Sequence, residues 1–145
     1  VNNAGFADAR PFDAVAPEDY EREIRTNLLG VMNGAKAVLA GMRERRRGTV
    51  VNVSSVSDRK TCPVALAYTA SKFGVRAFSE SLREAEGKNG VRVVNVAPGY
   101  VRTNIHAGMG VTFDEYKAAL GDPDFLSADE LAGVVHYCYR LPPHV

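Results

Sequence analysis

The residues best suited to chemistry are a tyrosine and a lysine four positions apart, in Tyr68-Thr69-Ala70-Ser71-Lys72. On a helix this spacing puts the two side chains one turn apart on one face. A free phenol has a pKa of about 10 and holds its proton at neutral pH. A neighbouring ammonium favours the phenolate and lowers that value, so the pair can act as an acid and base near neutrality. The spacing alone also fits a surface lysine beside a half-buried tyrosine. Ser55 precedes Tyr68 by thirteen residues and lies just past a strand-like run, where its hydroxyl can hold a substrate oxygen beside the phenol. Asn27 lies further upstream in a helical stretch, where an amide either bonds its own backbone or holds a water. Pro98-Gly99 closes another strand-like run and opens a long loop whose backbone groups can meet a cofactor.

The elements that must position these groups are legible from periodicity. Ile24, Leu28, Val31, Ala35, Val38 and Met42 recur at steps of four and three, the mark of one helix face. This helix starts after Pro17, with Glu18 and Asp19 complementing its dipole, although Ala16 is a poor N-cap. It runs into Arg43-Glu44-Arg45-Arg46-Arg47 and then Gly48; the cations read as a helix C-terminus rather than an anion patch. Residues 49–54 are rich in β-branched side chains and apolar on both faces, as in an interior strand of a parallel sheet. Asn52-Val53-Ser54 also spells a glycosylation acceptor, a chance match within a buried strand. A second helix covers residues 67–86, with Val75, Phe78, Leu82 and Ala85 on one face, and ends at Lys88-Asn89-Gly90. Residues 91–97 form another strand. Residues 100–126 read as an irregular substrate lid with a short helix near 113–120. Met109, Val111 and Phe113 there either form an apolar wall or simply pack. Ser127 and Glu130 make a capping box for a last helix that runs to about Arg140. Strands alternating with helices imply a parallel sheet, whose ligands bind at the carboxyl ends of its strands.

Composition narrows the classes. The 145 residues are 46% hydrophobic and 24% charged, as in a water-soluble globular domain. A net charge of +1 excludes a strongly electrostatic nucleic-acid binder and an acidic disordered tail. No uninterrupted apolar run reaches the length of about 18 residues that marks a membrane-spanning helix. Cys62 and Cys138 cannot build a disulfide framework and suit a reducing, cytoplasmic setting as small buried thiols. His106, His136 and His144 lack ligand-like spacing, so no catalytic metal is expected. The chain opens on Val1 and closes on Pro142-Pro143-His144-Val145. It reads as a partial chain that begins inside an α/β domain and stops before its last strand.

Five motifs occur in order: Asn2-Asn3-Ala4-Gly5, Thr26-Asn27-Leu28-Leu29-Gly30, Asn52-Val53-Ser54-Ser55, Tyr68-Thr69-Ala70-Ser71-Lys72, and Asn95-Val96-Ala97-Pro98-Gly99-Tyr100-Val101-Arg102-Thr103. Together, over essentially the whole chain, they resemble the short-chain dehydrogenase/reductase family in its single-domain branch. The resemblance implies an α/β fold in which residues 1–145 are the C-terminal catalytic half of a Rossmann-like doubly wound parallel sheet, the first βαβ units missing. It implies hydride transfer between NAD or NADP and a carbonyl/alcohol substrate. By resemblance, Tyr68 is the acid/base, and Lys72 lowers its pKa and bonds the nicotinamide ribose. Ser55 orients the substrate oxygen, with its neighbour Ser54 as second choice. Asn27 kinks its helix and holds a relay water near Lys72. Asn3, Ala4 and Gly5 resemble the segment beside the adenosine half of the cofactor. Pro98, Gly99, Val101 and Thr103 resemble the loop that receives the nicotinamide carboxamide and diphosphate.

The expected partners are a small-molecule carbonyl or alcohol and, at full length, further copies of the chain in a dimer or tetramer, with no nucleic acid and no membrane. The apolar faces of the two long helices suit such pairing, or pack on their own sheet. The chain end from Ser127 to Val145 resembles members acting on small hydroxy acids or general alcohols. Two departures stand out. The family's Gly-rich turn, T-G-x-x-x-G-x-G in form, and the residue that chooses NAD or NADP are absent from this chain, which is expected to be inactive alone. Asp58-Arg59 stand where small residues are usual, which is expected to reshape the substrate mouth. The alternatives are an extended-branch nucleotide-sugar epimerase or dehydratase, whose later strand leads into an N-x-Y-G-P segment, and a non-catalytic fragment or scaffold on the same fold.

Overall fold

The computed structural model describes residues 1–142; Pro143, His144 and Val145 of the chain end considered above lie outside the described residues. Its centre is a parallel pair, β1 (Gly48–Val53) and β2 (Val91–Val96), in register from Gly48 opposite Val91 to Val53 opposite Val96. Asn2 bridges the other side of β1: its N–H donates to the Val51 carbonyl at 2.8 Å and its carbonyl accepts from Val53 N at 2.9 Å. The parallel α/β expectation therefore holds, each strand beginning and ending within a residue of the sequence reading.

The helix expected from Pro17 to Gly48 is built in three parts. α1 (Pro17–Ile24) starts with Pro17 at its first position and no side-chain cap from Ala16. A π-helical turn (Arg25–Leu29) follows, closed by Gly30 N–H donating to the Arg25 carbonyl. α2 (Gly30–Glu44) continues from it. Of the six residues assigned to the apolar face, Val31 and Ala35 are buried while Val38 is exposed. The left-handed position after α2 is Arg46 (φ 49°), not the Gly48 expected there. Gly48 begins β1, where Met42 packs so close that a Cβ would collide with it.

α3 (Leu66–Glu86) crosses from β1 to β2. Val75 is fully buried, and Phe78 and Leu82 pack on the core formed by Ala35, Val50, Val91 and Val93. Ala85, expected on that face, is exposed. Gly90 (φ 76°) makes the turn into β2, lying so close to the Arg46 backbone that a Cβ would overlap it. Arg43 pairs with Glu86, tying the ends of α2 and α3.

Strand side chains alternate between faces. Val91 and Val93 meet the α2/α3 layer, and Arg92 faces the other way. There it donates to the carbonyls of Tyr139 and Leu141, both at 2.8 Å, at the end of α5 (Ala128–Arg140). Helices thus cover both faces of the pair.

Residues 100–126 are more ordered than expected. β3 (Val101–Arg102) pairs in parallel with β4 (Leu126–Ser127), a bridge with no periodicity to announce it. A 3-10 segment (Asn104–Met109) and α4 (Phe113–Ala119) lie between them, α4 started by a Thr112–Glu115 capping box that the sequence reading missed. The expected Ser127–Glu130 box starts α5. Phe113 packs edge-on to Phe125 and His106 and under the Arg102 guanidinium, while Val111 is exposed. Phe113 is thus engaged in packing.

Candidate active site

β1 and β2 remain clamped past their last paired residues. Ser54 N–H donates to the Val96 carbonyl at 2.7 Å, and Val56 N–H to the Pro98 carbonyl at 2.9 Å. This brings the Ser54-Ser55 and Pro98-Gly99 loops side by side at the carboxyl end of the sheet. Ser55 is buried and caps the 3-10 turn Val56–Asp58, accepting from Ser57 N–H at 3.1 Å.

α3 directs Tyr68 and Lys72 at this spot. The Lys72 Nζ lies 5.4 Å from the centre of the Tyr68 ring. It is buried and donates one hydrogen bond, to the Val53 carbonyl at 3.1 Å. Burial lowers its pKa to about 8, with the Asp58 carboxylate opposing that fall. Burial also raises the Tyr68 phenol above its ordinary value, and the nearby Ser55 hydroxyl pulls it back down. The expectation that the ammonium lowers the phenol's pKa is therefore outweighed: desolvation penalises both charged forms and leaves the phenol protonated at neutral pH.

Asn27, at the middle of the π turn, is buried. Its side chain accepts from Phe6 N–H at 3.1 Å and donates to the Phe6 carbonyl at 2.8 Å and to Ser71 Oγ at 3.2 Å. The amide thus bonds neither its own helix backbone nor only solvent; it braces the chain after Gly5 against α3. A π turn inserted at one site commonly marks function. Gly5 lies close to this group: a Cβ there would sit 3.2 Å from Asn27 Oδ1, a tight approach, and 3.8 Å from Lys72 Nζ, an ordinary contact. Asn3, Ala4 and Gly5 are exposed beside this group.

Pro98 is half-buried and Gly99 exposed beyond β2, and Val101 lies in β3. Thr103 caps the Asn104–Met109 segment, accepting from Ile105 N–H at 3.3 Å. A surface cavity of about 360 Å³ is lined by Arg102, Thr103, Asn104, His106 and Phe113, with none of Ser55, Tyr68 and Lys72 in its lining.

Several buried polar residues escaped the sequence reading. Asp58, expected to reshape the substrate mouth, is instead fully buried, its carboxylate accepting from Asn95 Nδ2 at 2.8 Å and Arg59 Nε at 2.6 Å. Glu23, one turn before Asn27, is also fully buried. It accepts from Asp8 N–H at 3.3 Å, and burial raises its pKa to about 7. The only sequence signal for it was a charge four residues from Asn27, on the inward face. Asn52 accepts from Asn2 Nδ2 at 2.8 Å and donates to Ser79 Oγ at 2.9 Å, so the glycosylation match is buried and bonded. Cys62 and Cys138 are free but only half-buried, not the fully buried thiols expected. No helix among the described residues is long and apolar enough to cross a membrane.

Comparison with known proteins agrees with this architecture. The short chain dehydrogenase profile matches residues 1–111. The chain is 34% identical over 105 residues to an acetoacetyl-CoA reductase from Paracoccus denitrificans, covering 72% of this chain and 43% of that protein. It is 35% identical over 121 residues to a 3-alpha-(or 20-beta)-hydroxysteroid dehydrogenase from Mycobacterium tuberculosis, covering 83% and 46% respectively. Among solved structures, a gluconate 5-dehydrogenase from Burkholderia cenocepacia in complex with NADP and tartrate superposes with a TM-score of 0.81 at 29% identity, over 92% of this chain and 53% of that one. A 3-oxoacyl-[acyl-carrier protein] reductase with bound NAD from Brucella melitensis gives 0.79 at 28% identity, over 95% and 53%. The chain spans about half the length of the proteins it matches. With the parallel α/β core and these matches together, the chain belongs to the short-chain dehydrogenase/reductase family.

Proposed function

We propose that this chain carries the proton-handling half of an NAD(P)-dependent oxidoreductase that interconverts a small-molecule carbonyl and its alcohol. The observation that carries this reading is the convergence of Ser55, Tyr68 and Lys72 at the carboxyl ends of β1 and β2. Bound NAD(H) or NADP(H) supplies or accepts the hydride. The fit to such a cofactor rests on Lys72. Its buried ammonium has three donors and makes one protein hydrogen bond among the described residues, leaving donors for ribose hydroxyls beside the Gly5 close approach. Asn3, Ala4, Gly5, Pro98, Gly99, Val101 and Thr103 are the further residues that would line the cofactor.

In reduction, Tyr68 gives its proton to the carbonyl oxygen while the Ser55 hydroxyl holds that oxygen in place. The Lys72 ammonium stabilises the phenolate as it forms, in a site where burial strengthens the attraction. In oxidation the same proton returns. Asn27 keeps the Gly5–Phe6 backbone fixed against Ser71, and a water held near Lys72, the role expected of Asn27 by family resemblance, would return the proton to the phenolate. A cytoplasmic setting, which keeps the free thiols of Cys62 and Cys138 reduced, and a full-length dimer or tetramer belong to the same reading.

The test is Tyr68→Phe in the full-length enzyme. Removing the phenolic proton is expected to cut carbonyl reduction by about 10³-fold, the usual scale for a general acid. NAD(P)H affinity and melting temperature should stay near wild type. Retained turnover rejects Tyr68 as the acid.

A further inference from the structure

We propose that Asp58 is a positioning residue for this site: its buried carboxylate latches the Ser55 loop to β2 and is the counter-charge to the Lys72 ammonium. The inference rests on the reading of Lys72 given above and adds a residue to it.

The geometry has two parts. Asp58 N–H donates to the Ser55 carbonyl at 2.9 Å, closing the turn that the Ser55 hydroxyl caps. From that same residue the carboxylate reaches across to Asn95 Nδ2 of β2 at 2.8 Å. Ser55 is therefore held by a bond from its turn to β2, and not by that short turn alone. The side chain is 0% exposed, a site at which an ionised carboxylate survives only if its oxygens are bonded. Burial pushes the Asp58 carboxyl up, but the hydrogen bonds from Arg59 and Asn95 outweigh it and hold it below the usual range. It is thus a fixed negative charge under working conditions.

Its electrostatic reach defines the second part. The turn that carries Asp58 packs against α3, which carries Lys72, and the buried Asp58 carboxylate is the charge that opposes desolvation of that ammonium. The other groups around Asp58 are Arg59, which pairs with it directly, and Glu80 on α3, which is exposed and paired with Arg76. Tyr68 faces Lys72 from one turn back. Burial lowers the pKa of an ammonium, and a buried carboxylate near it raises that pKa again. A small residue at position 58 provides neither the strand-to-loop bond nor the charge.

Full-length protein labelled with 13C-lysine gives a readout independent of activity. The Lys72 side-chain resonance, assigned by its loss in Lys72→Ala, is titrated by NMR in wild type, Asp58→Asn, Asp58→Ser and the control Glu80→Gln. Carbonyl reduction is followed over the same pH range. The wild-type midpoint is expected near 8. Asp58→Asn should lower it by about half a unit or more, as expected when a nearby opposite charge is removed. The alkaline limb of the activity profile should move down with it, and Glu80→Gln should move neither. Asp58→Ser supplies the same reading if Asp58→Asn does not fold. A midpoint unchanged in whichever of the two folds, or lowered equally by Glu80→Gln, overturns the inference. A midpoint that falls in a protein with no reductase activity upholds Asp58 as the counter-charge and removes the proposed reaction instead.

Discussion

At the amino end of the β1–β2 pair, Val50, Val91 and Val93 meet Ala35 under the partly buried side chains of Leu39, Met42, Phe78 and Leu82. At the carboxyl end, Asn27, Asn52, Ser55, Asp58, Ser71 and Lys72 are buried just as deeply. Removing apolar surface from water is favourable by about 25 cal/mol per Å², so the first end drives folding. Burying amides, hydroxyls and charges costs free energy unless each finds a partner, so the second end draws on the stability that the first supplies. The fold tolerates the expense where bonds are supplied from several elements at once: Asn52 from Asn2 and Ser79, Asn27 from Phe6 and Ser71, Asp58 from Asn95 and Arg59. Lys72 keeps donor capacity unspent.

If this contrast is right, lesions at the two ends fail in different ways. After Tyr68→Phe, the largest effect is expected from Lys72→Ala. It should lower turnover by about 10²-fold or more, on the scale of lost acid/base support, and weaken cofactor binding as well. Steady-state kinetics with NAD(P)H titration checks this; near-normal kcat with intact affinity would erase the distinction between the two ends. Val50→Ala, next in size, should cost about 2 kcal/mol in urea denaturation, with transfer and cavity contributions combined. Turnover per folded molecule should not change, because its packing neighbours lie away from Ser55, Tyr68 and Lys72.

The smallest effect sharpens the comparison through pH. Glu23 holds its proton more tightly when folded, with a pKa near 7 against an ordinary 4.5. The folded state then binds more protons than the unfolded one between those values, so stability falls as pH rises through this window and levels off above it. Glu23→Gln keeps the acceptor for Asp8 N–H and removes the ionisation. Its thermal stability should match wild type near pH 4.5 and exceed it at pH 8, by on the order of 1–2 kcal/mol after relaxation of the site. A parallel pH dependence in the two proteins would show that Glu23 does not ionise in that range.

The helix ends and strands were legible where one local force acts alone. Pro17 with Glu18 and Asp19, the Ser127–Glu130 box and the β-branched run at 49–54 each reproduce in the structure within a residue or two. The β3–β4 bridge was not legible, because two-residue strands have no period. Nor was the π turn legible from spacing: one face step of four from Ile24 to Leu28 looks the same whether or not the ladder widens. Val38 and Ala85 fit the apolar pattern yet lie outside, since periodicity marks a face without saying how far a neighbour covers it.

For the site, sequence alone determined the Tyr68–Lys72 pair, because four residues on a helix is one turn whatever surrounds it. Residue order likewise put Ser55 and Pro98-Gly99 at strand ends. The charge states were decided only by tertiary structure: desolvation depends on what packs around a group, and it reversed the expected direction for the phenol. The partners of Asp58, Glu23 and Asn27 were likewise beyond sequence, since Asn95, Asp8 and Ser71 become neighbours only when sheet and helices close over them.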